Sequence, residues 1–459
     1  MTLPAAGATS HLVAACGSGE PAAPSLRDAG ADVASAPADA SSSGDAAIAP
    51  DAGPVTPPDP PLIDSCTGAA PFEGAWLSDP KMCLTVYARA LGGARQTAFA
   101  PNGDLFVAIQ GGAKVLALYD DDKDGVSGDA ERSTFATAPG LNHGLAFSPD
   151  GKFVYASSPS SVFRWAYASG DRTATGPAQA VVKNMPTGGH DTRTLVFDST
   201  GSLLINVGSS ANVENNTASL LVRAQVRRFA IPATIPAGGI EYATGEVVSS
   251  GNRNEVGLFV DEQDHVWGVE NGRDSLTDAA GNDIHDDNPA EELNWLDAPG
   301  ARSYGYPYCW SEGRLDGGKG PGTQWAETVL PALLLKTDAW CRDLANVQPP
   351  VAAMPAHWAP LGIFKYTGTS LPFHGDFLVT SHGSSERTPP SGRVLARAAV
   401  KDGAITKISP IVGERAADGS LQEGTWSARP VDVRQGEDGA VYFSDDAQGR
   451  IFRLGYRPR

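Results

Sequence analysis

The sequence predicts an all-β fold: a six-bladed β-propeller of four-stranded antiparallel blades, preceded by a disordered N-terminal tether. Three observations predict it. A hairpin pattern recurs along the chain. Turn residues are abundant, with 52 glycines and 35 prolines in 459 residues. No long stretch free of Gly and Pro carries the 3.6-residue apolar period of a helix.

The elements follow in chain order. Cys16, in the run Leu12-Val13-Ala14-Ala15-Cys16-Gly17, looks like a bacterial lipoprotein processing site, so residues 1–16 read as a lipoprotein signal. Residues 1–15 contain no Lys or Arg, which departs from the charged start of a secretory segment. Residues 17–64 are dominated by Ala, Ser, Pro, Gly and Asp and bury too little apolar surface to offset the entropy of ordering. They read as a linker between an anchor and a folded domain over residues 65–459. No stretch reaches the roughly 18 apolar residues of a membrane span.

Six hairpins then follow. They begin at Thr97 (TAFAPNGDLFVAI), Gly144 (GLAFSPDGKFVYAS), Thr194 (TLVFDSTGSLLINVG), Gly257 (GLFVDEQDHVWGVE) and Val431 (VDVRQGEDGAVYFSD), with a weaker copy from Phe364 to GDFLVTS at Gly375. Each has period-two hydrophobicity on both arms around a turn such as Asn102-Gly103 or Asp150-Gly151. Repeated hairpins spaced by tens of residues are the mark of propeller blades. The spacing is about 65 residues, against roughly 40–45 for a minimal blade, so long loops are expected on one face.

The formal net charge of −18 repels phosphate backbones and excludes nucleic acid as a natural partner. It favours bound cations. Besides Cys16 there are four cysteines. In an exported chain they allow two disulfides, and the sequence-near pairs Cys66–Cys83 and Cys309–Cys341 are the expected ones; four free buried thiols are the alternative.

Two loops carry candidate chemistry. His190 follows two glycines and precedes a blade strand; a histidine there suits proton abstraction from a hydroxyl. Arg253-Asn254 precede the next strand, and a guanidinium beside a carboxamide suits an anionic, carbonyl-rich ligand. A third constellation is independent of both. Asp120, Asp122, Asp124, Gly125 and Glu131 fit the D-x-D-x-D-G-x₅-E calcium loop, with the carbonyl of Val126 at position 7. Its flanks read as strands, so a calcium-stapled inter-strand loop is expected. The cluster Tyr304, Tyr306, Tyr308 and Trp310 reads as packing.

In order, GGHDTRTL, GNRNEVGL, ENGRD, EELN with YGYPYC, HWAPLGIFKYTG, HGSSER and RPVDV resemble the glucose/sorbosone dehydrogenase family, nearest its sorbosone branch, from about Leu84 to the C terminus. The resemblance implies a quinoprotein that oxidises a sugar or sugar-derived aldehyde with pyrroloquinoline quinone (PQQ) and passes electrons to an acceptor the sequence does not specify. It implies His190 as base and Arg253 as the polarising cation at the quinone. Asn254, Arg273, His357 and Arg429 are implied at the cofactor, with His382 and Arg387 in place of the lysine found in soluble glucose dehydrogenases. It also implies a calcium ion on the carbonyls of Gly272 and Arg273, and a structural ion near Glu292 and Tyr304. Gly189 stands where those enzymes carry an acid before the base. The expected setting is exported, periplasmic or surface-anchored. The competing classes are a calcium-dependent, lactonase-like hydrolase and a non-catalytic binding propeller.

Overall fold

A computed structural model describes residues 61–301 and 303–458. The lipoprotein signal, Cys16 and most of the tether lie outside these residues.

Alternating sequence becomes sheet as expected, and six sheets form the blades of a propeller. The first blade is Gly93–Phe99, Leu105–Gln110, Lys114–Leu118 and Arg132–Thr137. The second is Leu145–Phe147, Phe153–Ser157, Val162–Ala166 and Gln179–Lys183, extended by a short parallel strand, Ile240–Glu241. The third is Leu195–Phe197, Ser202–Val207, Gln225–Ala230 and Glu246–Ser250, and the fourth is Glu255–Val260, Val266–Glu270, Glu291–Trp295 and Ala352–Met354. The fifth is Pro360–Lys365, Phe377–Ser381, Val394–Lys401 and Ala404–Arg415. Ala75–Leu77 and Leu421–Gln422 pair with its last strand, so it exceeds the four strands expected.

The sixth blade closes the ring. Pro430–Gln435, Val441–Asp445 and Arg450–Tyr456 take their outer strand from the other end of the chain, Met82–Ala88, with Leu84 opposite Leu454 and Val86 opposite Phe452. The disulfide Cys66–Cys83 ties the entering chain to this strand. Residues 61–64, read above as tether, already lie on the domain: Leu62 packs on the core and the Ile63 amide donates to the Thr369 carbonyl at 3.0 Å.

The core lies between neighbouring blades. Phe106 of the first meets Phe135, Phe147 and Tyr167 edge-on at 5.0–5.9 Å, which locks the first two blades together. Between the third and fourth strands of the fourth blade is the long loop the spacing called for. It carries a hairpin, Cys309–Ser311 with Gln324–Ala326, and the disulfide Cys309–Cys341. Both disulfides join the pairs expected.

Candidate active site on the propeller axis

A basic side chain stands at or just before the innermost strand of every blade: Arg95, His143, His190 with Arg193, Arg253, His357 and Arg429. Hydrogen bonds and ion pairs link them around the ring. Arg95 Nε donates to His143 Nδ1 at 3.0 Å. Nε2 of that ring, 3.1 Å away, donates to Thr194 Oγ1, which donates to the Val256 carbonyl at 2.5 Å. Between the fourth and fifth blades, Asp274 lies 3.3 Å from Arg253 Nη2 and 3.9 Å from His357 Nδ1. Between the fifth, sixth and first, Asp446 takes His382 Nε2 at 2.9 Å and Arg95 Nη1 at 2.6 Å. Burial opposes ionisation of Asp446, but His382 and Arg95 outweigh it and hold the carboxyl down at about 2. His143 is held well below its ordinary value by burial and then by Arg95, so it is the neutral link the hydrogen-bond pattern requires.

His190 is shaped by close backbone packing. Gly189 has φ +72°, and a Cβ there would fall 2.6 Å from the Ser209 carbonyl. A Cβ on Gly208 would lie 2.6 Å from His190 Cβ and 2.7 Å from Asn254 Oδ1, so a bare glycine lets base and carboxamide stand side by side. His190 Nδ1 is 3.0 Å from both the carbonyl and Oγ of Ser209. The carbonyl only accepts, and Oγ–H already donates to the Ala211 carbonyl at 2.7 Å. Nδ1 therefore carries the proton, leaving the lone pair on Nε2. Burial, then the Arg253 charge, lowers the imidazole from 6.5 to about 4.

Arg253 is almost fully buried, and all five of its N–H groups have protein acceptors: the carbonyls of Asn212, Asn271 and Gly272, Asn212 Oδ1 and Asp274 Oδ2. It offers a fixed positive charge rather than an open donor. Asn254 Oδ1 is buried with no partner. Arg429 donates to the His382 and Gly383 carbonyls at 3.1 and 2.7 Å. Burial and then the neighbouring Arg393 lower its pKa. No ion pair to a carboxylate is formed by Arg393 or Arg429 among the described residues, so two adjacent guanidiniums lack a protein anion.

Several expected residues are placed elsewhere. Arg273 grips Glu327 at 2.7 and 2.8 Å, inside the inserted loop, because that buried carboxylate needs a cation. Arg387 pairs with Asp287 at 3.0 Å. His357 Nε2 donates to the His285 carbonyl at 2.7 Å, so it faces the ring through Nδ1 alone. The Gly272 carbonyl accepts from Arg253 at 2.6 Å, which gives it a cation from the protein itself. Glu292 accepts from Ser311, Gln324 and Asn294, and the Tyr304 hydroxyl donates to the Trp295 carbonyl, so both side chains already have protein partners.

In the outer loop, carboxylate oxygens of Asp120, Asp122 and Asp124 lie within 4.8 Å of one another. Gly125 has φ +88°, as the motif requires. The flanks are strands, as read from the sequence. Glu131 turns to the amides of Asp121, Asp122 and Gly128 at 2.8–3.3 Å, and the Val126 amide donates to Asp124 Oδ1.

The sequence reading missed Arg95, His143, Arg193, Arg393, Asp274 and Asp446. Arg95, His143, Arg193 and Arg393 lie at or within two residues of a strand start and Asp274 and Asp446 past a strand end, positions that a surface turn shows equally.

Residues 79–457 match the model of a family described as TrAA12-like. The chain belongs to this family. A PQQ-dependent sugar dehydrogenase of Hypocrea jecorina (strain QM6a) is 32% identical over 386 residues, covering 78% of this chain and 84% of the relative. A PQQ-dependent pyranose dehydrogenase of Coprinopsis cinerea is 30% identical over 342 residues, covering 68% of this chain but only 46% of the relative. Among solved structures, the calcium structure of a Trichoderma reesei enzyme of carbohydrate-active family AA12 superposes with a TM-score of 0.73 at 28% identity, over 85% of this chain and all of that one. The holo PQQ domain of the Coprinopsis cinerea pyranose dehydrogenase gives 0.73 at 25% identity, over 86% and 100%.

Proposed function

We propose that this family member is a PQQ-dependent sugar dehydrogenase, an oxidoreductase that takes a hydride equivalent from a sugar or sugar-derived aldehyde, with His190 as general base. The observation that carries the reading is the ring itself: a neutral imidazole with its lone pair on Nε2, beside a saturated Arg253 and across from two guanidiniums that lack a protein anion. A tricarboxylate quinone fits these residues. Arg393 and Arg429 would hold its carboxylates, Asn254 would take a donor at its orphaned Oδ1, and His382 stands beside them. When bound, the quinone supplies the two-electron acceptor. Arg253 then stabilises developing negative charge through its fixed position and field. His190 Nε2 receives the hydroxyl proton, and Ser209 keeps the ring in that tautomer throughout.

Calcium is proposed at the outer Asp120–Glu131 loop, where three carboxylates already converge. The two disulfides support export to an oxidising compartment. The lipid anchor and the electron acceptor are carried forward as proposals from the sequence.

The deciding experiment reconstitutes the chain with quinone and calcium and follows dye reduction with a panel of aldoses, pyranoses and sugar aldehydes. Turnover that needs the quinone and falls about 10²–10⁴-fold in His190→Ala is the expected result. Full activity in His190→Ala would overturn the base. Lactone hydrolysis without quinone would revive the hydrolase reading.

A further inference from the structure

The loop that carries His190 has no strand ladder of its own. Residues 184–194 run from Gln179–Lys183 of the second blade to Leu195–Phe197 of the third, and Gly188 and Gly189 turn the chain at φ +85° and +72°. Backbone carbonyls in such a loop still need donors. Two arginines supply them. Arg193 Nη1 donates to the His190 and Thr192 carbonyls, both at 2.7 Å, and Nη2 donates to the Pro186 carbonyl at 2.6 Å. Its Nε donates to the Pro159 carbonyl, on a turn of the second blade, at 3.1 Å. Arg223, just before Gln225–Ala230, donates from Nη1 to the Gly188 carbonyl at 2.9 Å and from Nη2 to the Thr187 carbonyl. Among the described residues, none of these loop carbonyls takes a backbone amide.

Both guanidiniums are buried to do this, Arg193 at 0% exposure and Arg223 at 7%. Arg193 has one carboxylate, Asp191 Oδ1, at 3.4 Å, and Arg223 forms no ion pair among the described residues. Burial lowers the Arg193 pKa from 12.5 to about 10, so it stays charged at neutral pH. A buried cation without a close anion is costly. Satisfying the loop does not require it, because Thr187, Gly188 and Gly189 are exposed and water can reach them. What the arginines add is a fixed backbone at one residue. The His190 carbonyl is held by Arg193, its amide donates to the Ser209 carbonyl at 3.0 Å, and its Nδ1 meets Ser209 as well.

We infer that Arg193 is the positioning residue of the base: through the Pro186 and His190 carbonyls it holds the loop so that His190 Nε2 keeps its aim, with Arg223 as an outer brace. The inference rests on the reading of His190 as base. It gives the guanidinium a task that a lysine cannot perform. One planar fork reaches Pro159, Pro186, His190 and Thr192 together and so ties the second blade to the loop that opens the third. A single ammonium nitrogen cannot span these carbonyls. The other charges acting on the His190 ring are Arg253 and Asp274, and neither bonds its backbone. The Nδ1–H bond to Ser209 survives only while the backbone on both sides of His190 stays in place, so loss of the clamp frees the ring to take either tautomer.

The test uses the full chain. In quinone-free protein, nitrogen chemical shifts of the His190 ring report its tautomer, and the wild type should show the Nδ1–H form alone. Arg193→Lys keeps the charge and Arg193→Gln removes it. Both variants should show a mixture of Nδ1–H and Nε2–H forms with far-UV circular dichroism unchanged. In reconstituted enzyme, kcat should fall about 10²-fold in each while KM moves by no more than about threefold, the mark of lost aim rather than lost binding. Arg223→Lys, at the brace, should give the same mixture with a smaller loss, and it decides the matter where the Arg193 variants do not fold. A single tautomer in folded Arg193→Lys, or kcat within about twofold of the wild type, overturns the inference. The tautomer is read without quinone or sugar. A wild type that lacks quinone-dependent turnover therefore overturns the dehydrogenase reading by itself, and the tautomer in the variants still decides the clamp.

Discussion

Ser209 sets the tautomer of His190, and burial followed by Arg253 sets its charge state. The carbonyl and hydroxyl oxygens of Ser209 fix the proton on Nδ1, while burial and the nearby guanidinium hold the imidazole neutral down to about 4. The folded pKa lies below the unperturbed 6.5, so the basic form persists as pH falls from 6.5 towards 4 and is lost only below that. In the quinone-free protein, an NMR titration of His190, assigned with His190→Gln, should give a midpoint near 4; a midpoint at or above 6.5 would show that burial and Arg253 do not set the base. A second residue-scale prediction concerns Gly208. In Gly208→Ala the new methyl falls 2.6 Å from His190 Cβ and 2.7 Å from Asn254 Oδ1, so base and carboxamide must part. A displacement of about 1 Å costs roughly 10²-fold in rate. That loss should appear in kcat/KM measured with reconstituted enzyme, with circular dichroism unchanged.

Two loops make predictions at the scale of the element. Calcium in the Asp120–Glu131 loop would staple Lys114–Leu118 to Arg132–Thr137, and at a free concentration 100 times Kd would stabilise by about 2.7 kcal/mol. Chelator should lower the thermal midpoint, and Asp122→Asn should remove the part of that drop owed to this loop; an equal drop in the variant would exclude it. The inserted loop is closed by Cys309–Cys341 across a sequence separation of 32, a closure worth about 3–4 kcal/mol on loop entropy. Replacing both cysteines with serine should make the insertion the first site of limited proteolysis while the blades stay intact, because only non-covalent contacts such as Arg273–Glu327 then anchor it. These elements also show what a sequence displays. Period-two hairpins and turn glycines announced the blades because each strand reports its own two faces. His190 and Arg253 were legible because they sit in unusual loops. Arg193 and Arg223 were not, since an arginine just before a strand looks solvated until neighbouring loops bury it. Arg273 was misplaced for the converse reason: its partner, Glu327, lies 54 residues away.

At the scale of the whole molecule, the site and the fold close on the same ring. The basic residues are drawn from all six blades, and Asp446 of the last blade reaches Arg95 of the first at 2.6 Å. Met82–Ala88, which pairs with Arg450–Tyr456 to complete the sixth blade, leads into the first-blade strand that carries Arg95, so the contact bridges the closure of the ring. If ring closure is a condition for the anion site, a ligand that binds the ring stabilises the closed state. Leu84 provides the test. It is 2% exposed, packs among Phe443, Phe452 and Leu454, and is remote from every ring residue in its contacts. Leu84→Ala should cost about 2–5 kcal/mol. If closure and site are coupled, far-UV loss of sheet and release of bound quinone occur in one transition, and the variant moves both midpoints down together. Quinone release well before sheet loss in the wild type, or a midpoint for release that Leu84→Ala leaves in place, would show that a subset of blades holds the ligand without the closed ring.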